Sequence, residues 1–550
     1  MKKHLLYCIG VFIFSTTILL SCYDDKGNYD YHELEEIHID TVGTDVQAKY
    51  AIMRGDTLRI APNIYFEGEL VTDESAVPLD YMWTIYSAIA GSGADQVIDT
   101  IGCHAMLNTA ITRKGGSYQV RLAVTNRNDG IRYFFSTEVT VSEIFDGGWM
   151  VFYERADMPG YSDLALIYNE WVKSNSKTNR IYDNLYSRNN GEPLPGNPIR
   201  CLDIAVSLTS GNNYIGLCTD QTLVGVSENG FERALEFGDF FYQQPSIEAP
   251  TWYGQHGGGA VSGQSSEVVI NNGNVYTNTY SFSATEGRTT KFGMPKRSEE
   301  DVVGELAPWN AEVPHTLNYG IVVYDQTNQC FRYAPYNSSR LERFAPQDNA
   351  EYGTDMLNNT GMTMIMSDWG KGTSQSSSLL PHDYSIMKKG ANYYLVVTNF
   401  STSTPADNNI CVGRYEMKTL NCRGINRATT MAASHVGNFI YYGSGNKVYS
   451  YAYDAGKNPK AKEIWAAEDT NEEVTCVRMM KYYHATVYGF GMVPNADNLV
   501  HIATWNEETQ KGHVYQYMID PASGDIKSGK CFDYTIPGKV KDMAWKFSMQ

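Results

Sequence analysis

Residues 19–22, Leu-Leu-Ser-Cys, are the clearest chemical signal in the chain. Lys2 and Lys3 give a short positive start, Leu5 to Leu20 is mostly apolar, and Ser21 is small. That is the layout of a secretory signal. Its last four residues match a bacterial lipobox, in which the cysteine thiol is acylated and the chain is cut just before it. Cys22 is therefore the expected lipidation site, and residues 1–21 the part removed. The alternatives are an ordinary signal peptide or a helix that stays in the membrane. The run is short for a span, which takes about 20 residues. Several acyl chains on one cysteine anchor stably where a single chain does not, so Cys22 would hold the protein at a membrane surface.

The second chemistry is recognition by aromatic faces. The stretch FGDFFYQQPSIEAPTWYGQHGGGAVSGQSS (237–266) reads as a loop that gathers aromatics and a glycine cluster. Trp252 and Tyr253 in it are candidates to stack on a sugar or a peptide side chain, because an aromatic ring offers a large apolar face with a polar edge. Trp309 in APWNAE and Trp369 in SDWGKG also sit among turn residues and join the same candidate set. The competing use of each is packing, since Trp is usually buried.

No catalytic residue, metal site or cofactor site stands out. HExxH, GxSxG, GxxxxGK[ST] and EF-hand patterns do not occur. GKGTS at 370–374 lacks the preceding glycine spacing of a phosphate loop, the 11 His do not pair at ligand spacing, and there is no CxxC. Asp and Glu are abundant, and a glycosidase pair needs only a spatial separation that sequence does not display. The expectation is a binder; a polysaccharide hydrolase or lyase is the alternative.

Composition narrows the partners. Net charge is −18 and no long basic run appears. Nucleic acid is excluded as an expected partner, because phosphate binding draws on clustered Lys and Arg. The 40 Tyr and 48 Gly accompany strand-like patterns throughout, which reads as all-β. Cys201/Cys218 and Cys411/Cys422 are close enough in sequence to face one another across strands. Disulfides and buried free thiols are both open readings for them.

These residues need elements to position them. Residues 22–40 are polar and acidic and read as a tether. Residues 41–144 read as one immunoglobulin-like sandwich: in GSYQVRLAVTN (116–126), Tyr118, Val120, Leu122 and Val124 share one face, the period of two of a half-buried strand. LDYMWTIY places Trp83 mid-strand, and a Trp against such a strand is a common sandwich core. Residues 145–550 carry a recurring unit. NKVYSYAYD (446–454) and GHVYQYMID (512–520) share V-Y-x-Y-x-x-D, each preceded by another strand. Three or four short antiparallel strands recurring at under 40 to about 80 residues is the arithmetic of propeller blades with loop insertions. Seven units can be counted, and the last strand, KVKDMAWKF, is expected to pair near GGWMVFYE and close the ring, which removes exposed edges. Tandem sandwiches are the alternative.

The start SCYDDKGNYDYHELEEIHI, the Y-x-W and G-x-Y-x-V-x-L-x-V strands, and the junction DGGWMVFYERADMPGYSDLALI together resemble the PKD-like surface lipoproteins of glycan- and peptide-foraging Gram-negative bacteria. The turn WTIYSAIAG departs from the W-D-F-G-D-G of the polycystic-kidney repeat proper, so the resemblance bears on fold and not on a particular ligand. It implies that Asp24 and Asp25 form a surface-export signal, alongside their simpler use as a solvated tether. It also implies an outer-membrane lipoprotein facing the cell exterior, accessory to a SusC/SusD-like TonB-dependent importer of glycans or oligopeptides. In such bacteria a D-[ST]-apolar motif can carry O-glycans, which makes Thr41, Thr57 and Thr100 candidates, with ordinary strand threonine as the alternative.

Overall fold

The computed structural model describes residues 36–88, 98–113, 115–142, 145, 147–173, 178–204, 213–256, 264–281, 290–312, 320–335, 338–346, 348–349, 352–375, 378–400, 410–456, 458–481, 495 and 498–546. Cys22, Asp24, Asp25, the leader and nearly all of the tether lie outside them. Strand is the dominant regular structure of the described residues, which hold one six-residue α-helix, Leu185–Asn190, and three short 3-10 helices. No helix among them is long and apolar enough to cross a membrane. The chain divides into two compact units, 1–143 and 144–550.

The first unit is a small β-structure built on a five-stranded sheet. Its order is Lys49–Met53, Arg132–Ser142, Gly116–Asn126, Leu79–Ser87, Asp99–Gly102. Alternation sets the inner face: Leu79, Tyr81, Trp83 and Ile85 are buried, and so are Val120, Leu122 and Val124. Trp83 and Leu122 are register partners, so the two strands lie side by side in one sheet and not across the core from each other. Trp83 is fully buried and its indole N–H donates to His104 O at 2.9 Å, which satisfies the ring's single polar atom. Ile37–Asp40 with Asn63–Phe66, and Thr57–Ile60 with Leu107–Ala110, supply the opposing apolar residues Ile37, Ile64, Leu58, Ile60 and Leu107.

The second unit is a succession of antiparallel sheets in chain order. The first contains Gly148–Arg155 and Tyr161–Tyr168; the second starts at Pro198–Ile204, the third at Pro250–His256, and the fourth at Ile321–Asp325. Setting aside a two-stranded ladder of Asp348–Asn349 and Gly353–Thr354 that follows the fourth, the fifth starts at Thr363–Gln375, the sixth at Thr430–Ala433 and the seventh at Glu472–Met479. In the second to seventh of these sheets each strand pairs with the next along the chain, so those sheets are local meanders. The last strand, Gly538–Lys546, returns to the first sheet and pairs antiparallel with Gly148–Arg155, Trp149 opposite Trp545, as the sequence leads one to expect.

Burial explains why the sheets stack. Strands such as Ile321–Asp325 and Leu499–Asn506 are buried at every position, because both faces are covered. Apolar layers join the second sheet to the third, and so on to the sixth and seventh. A further layer joins the seventh to the first, through residues such as Leu499, Val514, Trp149 and Ile167. A closed ring of sheets is the plan of a β-propeller. Tyr449, Tyr451 and Tyr453 fall in one such layer, as a strand face requires.

Two stretches read as loop in the sequence are strands. Pro250–His256 carries Trp252 and Tyr253, and Thr363–Gln375 carries Trp369. Both are rich in Gly, Ser, Thr or Pro, the composition of turns, yet they form the inner strands of the third and fifth sheets, where neighbours satisfy their backbone. Cys201, Cys218, Cys411 and Cys422 are buried free thiols; Cys201 lies opposite Leu217 in register, not opposite Cys218.

Candidate functional site

The inner strands of the ring enclose a cavity of about 400 Å³. Trp149, Trp252, Trp309, Trp369 and Trp545 all line it. Three of these are sequence candidates separated by up to 117 positions, and only the ring brings them together. The inner position of the fourth sheet is filled by a segment that is not a regular strand. Ala307 N donates to Tyr324 O at 2.9 Å and Ala311 N to Val322 O at 3.0 Å, so residues 307–311 run along Ile321–Asp325 and present Trp309 inward.

Each indole is held by neighbours. Trp252 Nε1 donates to Asn310 Oδ1 at 2.6 Å, and Asn310 is fixed in turn by donating to Gln255 O and Ala311 O. The Arg200 guanidinium lies over the Trp252 ring at 4.5 Å. The Lys481 ammonium lies 4.7 Å from the Trp369 ring centre, and His435 meets that ring edge-on. Both are cation–π placements, stronger where water is excluded. Trp309 is 5% exposed and packs against Phe331, so it serves the core and the cavity wall together. Trp149 stacks flat on His501 at 3.6 Å.

Tyr253 is not part of the wall. Successive strand residues point to opposite faces, and Tyr253 turns into the layer between the second and third sheets, fully buried, donating to Glu267 Oε1 at 2.6 Å. Gly216 lies so close that a Cβ there would sit 2.4 Å from the Tyr253 ring. Its role is packing.

A charged cluster sits among the indoles, and no motif or spacing announces it. Arg200 Nη2 pairs with Glu312 Oε1 at 2.5 Å, and Arg478 Nη2 pairs with Asp542 Oδ1 at 2.7 Å. Asp542 also accepts from Cys201 N at 3.0 Å. Lys481 pairs with Asp368 and also donates to Trp369 O, while Asp368 Oδ2 accepts from Ala433 N at 2.8 Å. Burial pulls the Lys481 ammonium below its ordinary value, against Asp368, which holds it up. Asp383, also on the cavity wall, is 1% exposed. Burial, with Glu312 and Asp368 nearby, pushes its carboxyl well above the usual range, against the opposing pull of Lys481. Among the described residues no group of His, Cys, Asp and Glu is arranged to hold a metal ion.

The O-glycan candidates lie in the first unit. Thr57 and Thr100 are exposed and Thr41 is half-buried. The preceding aspartates have local work: Asp40 Oδ1 accepts from Val42 N at 2.9 Å and Asp56 Oδ2 from Met53 N at 3.1 Å. These are turn-closing bonds of the kind aspartate favours, and they account for two of the three Asp-Thr pairs without any modification.

Residues 22–198 match the model of the PKD-like family, a span that takes in the first unit and the first sheet of the second. No curated protein matches the chain. Solved structures similar to it include a quinonprotein alcohol dehydrogenase-like protein from Bacteroides thetaiotaomicron, 12% identical, covering 93% of this chain and 100% of that one, TM-score 0.31. AztD from Citrobacter koseri is 8% identical, covering 85% and 98%, TM-score 0.33. A β-propeller domain from Myceliophteria thermophila is 9% identical, covering 63% and 91%, TM-score 0.32.

Proposed function

We propose that the protein is a binding protein whose ligand, a saccharide or a short peptide, sits in the tryptophan-lined cavity of a seven-bladed propeller, each of the seven sheets being one blade. The observation that carries this reading is the convergence of Trp252, Trp309 and Trp369, with Trp149 and Trp545, on one 400 Å³ space. That volume lies in the range of small-molecule sites, which combine aromatic walls with a few placed polar groups. In this reading Cys22 anchors the chain in the outer membrane, facing the cell exterior. The protein then serves a SusC/SusD-like importer as an accessory subunit. Support for anchor and partner comes from the lipobox and from the resemblance of the amino-terminal region.

The ligand test is a screen of the full chain against glycan and peptide libraries, followed by Trp369→Ala and Trp252→Ala. Retention of a ligand that both variants lose is expected; a ligand held equally by both variants would place the site elsewhere. The partner test is a mild-detergent pull-down from outer membranes through a carboxy-terminal tag. A barrel and its lid should come along in near-equal amounts. Recovery of the protein alone, from membranes in which the barrel is intact, would remove the accessory role.

The second reading, a polysaccharide hydrolase or lyase, draws on one observation: Asp368 and Asp383 are two carboxylates at the same cavity. Shortening of a retained glycan by the purified protein, lost in Asp383→Asn, would favour it over binding.

A further inference from the structure

The cavity's buried cations are each matched. Arg200 has Glu312, Arg478 has Asp542, and Lys481 has Asp368. Among the described residues Asp383 has no counterpart: neither of its carboxyl oxygens makes a hydrogen bond. Its register partner on one side, Thr398, is also 1% exposed, and its hydroxyl is unpartnered too. Its register partner on the other side is Trp369, on the cavity wall. Two adjacent buried polar side chains without partners are rare in folded proteins, and such groups call for an explanation.

We propose that Asp383 anchors the primary ammonium group of the ligand, so that the cavity selects small amines, either an amino sugar or the free amino end of a short peptide. The proposal rests on the reading of the cavity as a binding site and names its ligand class. A neutral hydroxyl would give Asp383 a hydrogen bond but would not offset the negative charges of Glu312 and Asp368 around it. An ammonium group supplies both donor and charge. The Trp369 indole, already beside the Lys481 ammonium, belongs to the kind of wall that cations favour.

The groups facing Asp383 are Glu312 from the segment before the fourth sheet, Asp368 on the neighbouring strand and Lys481 after the seventh sheet's inner strand. Burial, Glu312 and Asp368 favour the protonated form of Asp383, against the pull of Lys481. An incoming ammonium ion pairs with the carboxylate, and the carboxyl proton leaves to solvent. Amine binding therefore releases a proton, and affinity rises with pH until Asp383 is ionised without help or the amine loses its own proton, at about pH 8 for a peptide's amino end.

The test is calorimetric titration of the full chain with glucosamine trimer and with trialanine, each beside its N-acetylated counterpart, for wild type and Asp383→Asn. The titrations are repeated in buffers of differing ionisation enthalpy. One amine should bind, and which one identifies the source. N-acetylation should weaken it about tenfold or more, the equivalent of one charge-assisted hydrogen bond. Asp383→Asn should weaken the amine by a similar factor while leaving the acetylated probe nearly unchanged, and the buffer dependence should report proton release. Equal binding of an amine and its acetylated form overturns the role of Asp383 and leaves the cavity as a binding site. Binding of no probe overturns the amine class, and the cavity reading then stands or falls on the library screen, which does not depend on an amine.

Discussion

Two charge clusters in the second unit invite comparison. In the fourth sheet, Arg332 is fully buried; its Nε donates to Asp325 Oδ2 at 3.0 Å and its Nη2 to Asp301 Oδ2 at 2.9 Å. Asp325 also accepts from Gly304 N and Asn328 N, and Asp301 from Arg343 Nε at 3.0 Å. Every charge there has its partner. Hydrogen bonds from Arg332 and Arg343 hold Asp301 below its ordinary value. Burial pushes Asp325 up, but its hydrogen bonds more than reverse that. At the cavity, three ion pairs are equally complete, yet Asp383 beside them is left over and is shifted the opposite way. The first cluster is a finished piece of scaffold. In the second, a buried carboxyl on the cavity wall has no hydrogen-bond partner among the described residues. Burial alone does not distinguish the two clusters; completeness of pairing does.

The largest effect that would break this comparison is on stability. Arg332→Met strands Asp325 and should cost about 3–5 kcal/mol in urea unfolding, the usual penalty for removing one partner of a buried pair. A neutral result would show that the fourth-sheet cluster is not structural. Next comes binding. Trp369→Ala should lower affinity for any retained ligand by about 1–3 kcal/mol, the range found for losing an aromatic stacking partner, with far less effect on unfolding than Arg332→Met.

The two clusters should also respond to pH with opposite sign. The depressed Asp301 and Asp325 contribute stability above the ordinary aspartate range, about pH 3.9, which is lost as pH falls through their lower folded values. The raised Asp383 works the other way: its contribution is fully present below the ordinary aspartate range and is lost as pH climbs to its own higher value. Asp383→Asn should therefore melt above wild type at neutral pH and lose that advantage near pH 3, at about the ordinary aspartate pKa. A variant that melts lower at neutral pH would mean Asp383 is a paired structural carboxylate after all.

The smallest expected effect lies in the first unit. Thr57→Ala and Thr100→Ala should leave stability within about 0.5 kcal/mol, as exposed substitutions do. If these threonines carry glycan, chemical deglycosylation will lower the intact mass of wild type and not that of the double variant. An unchanged wild-type mass removes the glycan proposal.

Much of the architecture was legible from local pattern. Strand periodicity at 79–86 and 116–126, the repeated V-Y-x-Y-x-x-D hairpins and the closing strand all depend on neighbours a few residues apart. The site was legible only as residue types. Trp252, Trp309 and Trp369 could be picked out as aromatics in unusual company, but their convergence depends on the order of sheets around the ring. Tyr253 was misplaced because its stretch reads as loop; recognised as a strand, its alternation with Trp252 would have sent it to the other face. Asp383 left no trace. In HDYSIMKK both faces of the strand are buried, so polar and apolar residues do not alternate, and a buried acid looks like any other.

The pairing of Gly148–Arg155 with Gly538–Lys546 has a consequence for biosynthesis. The ribosome makes one edge of that seam at the beginning of the unit and the other only after all the remaining sheets have emerged. Until then the early strand offers an open edge to any passing chain, and the cavity lacks Trp545 from its wall. Ring closure and completion of the pocket are thus a single late event in the life of each molecule. An unfinished copy lacks part of the cavity wall and keeps an open sheet edge at the seam.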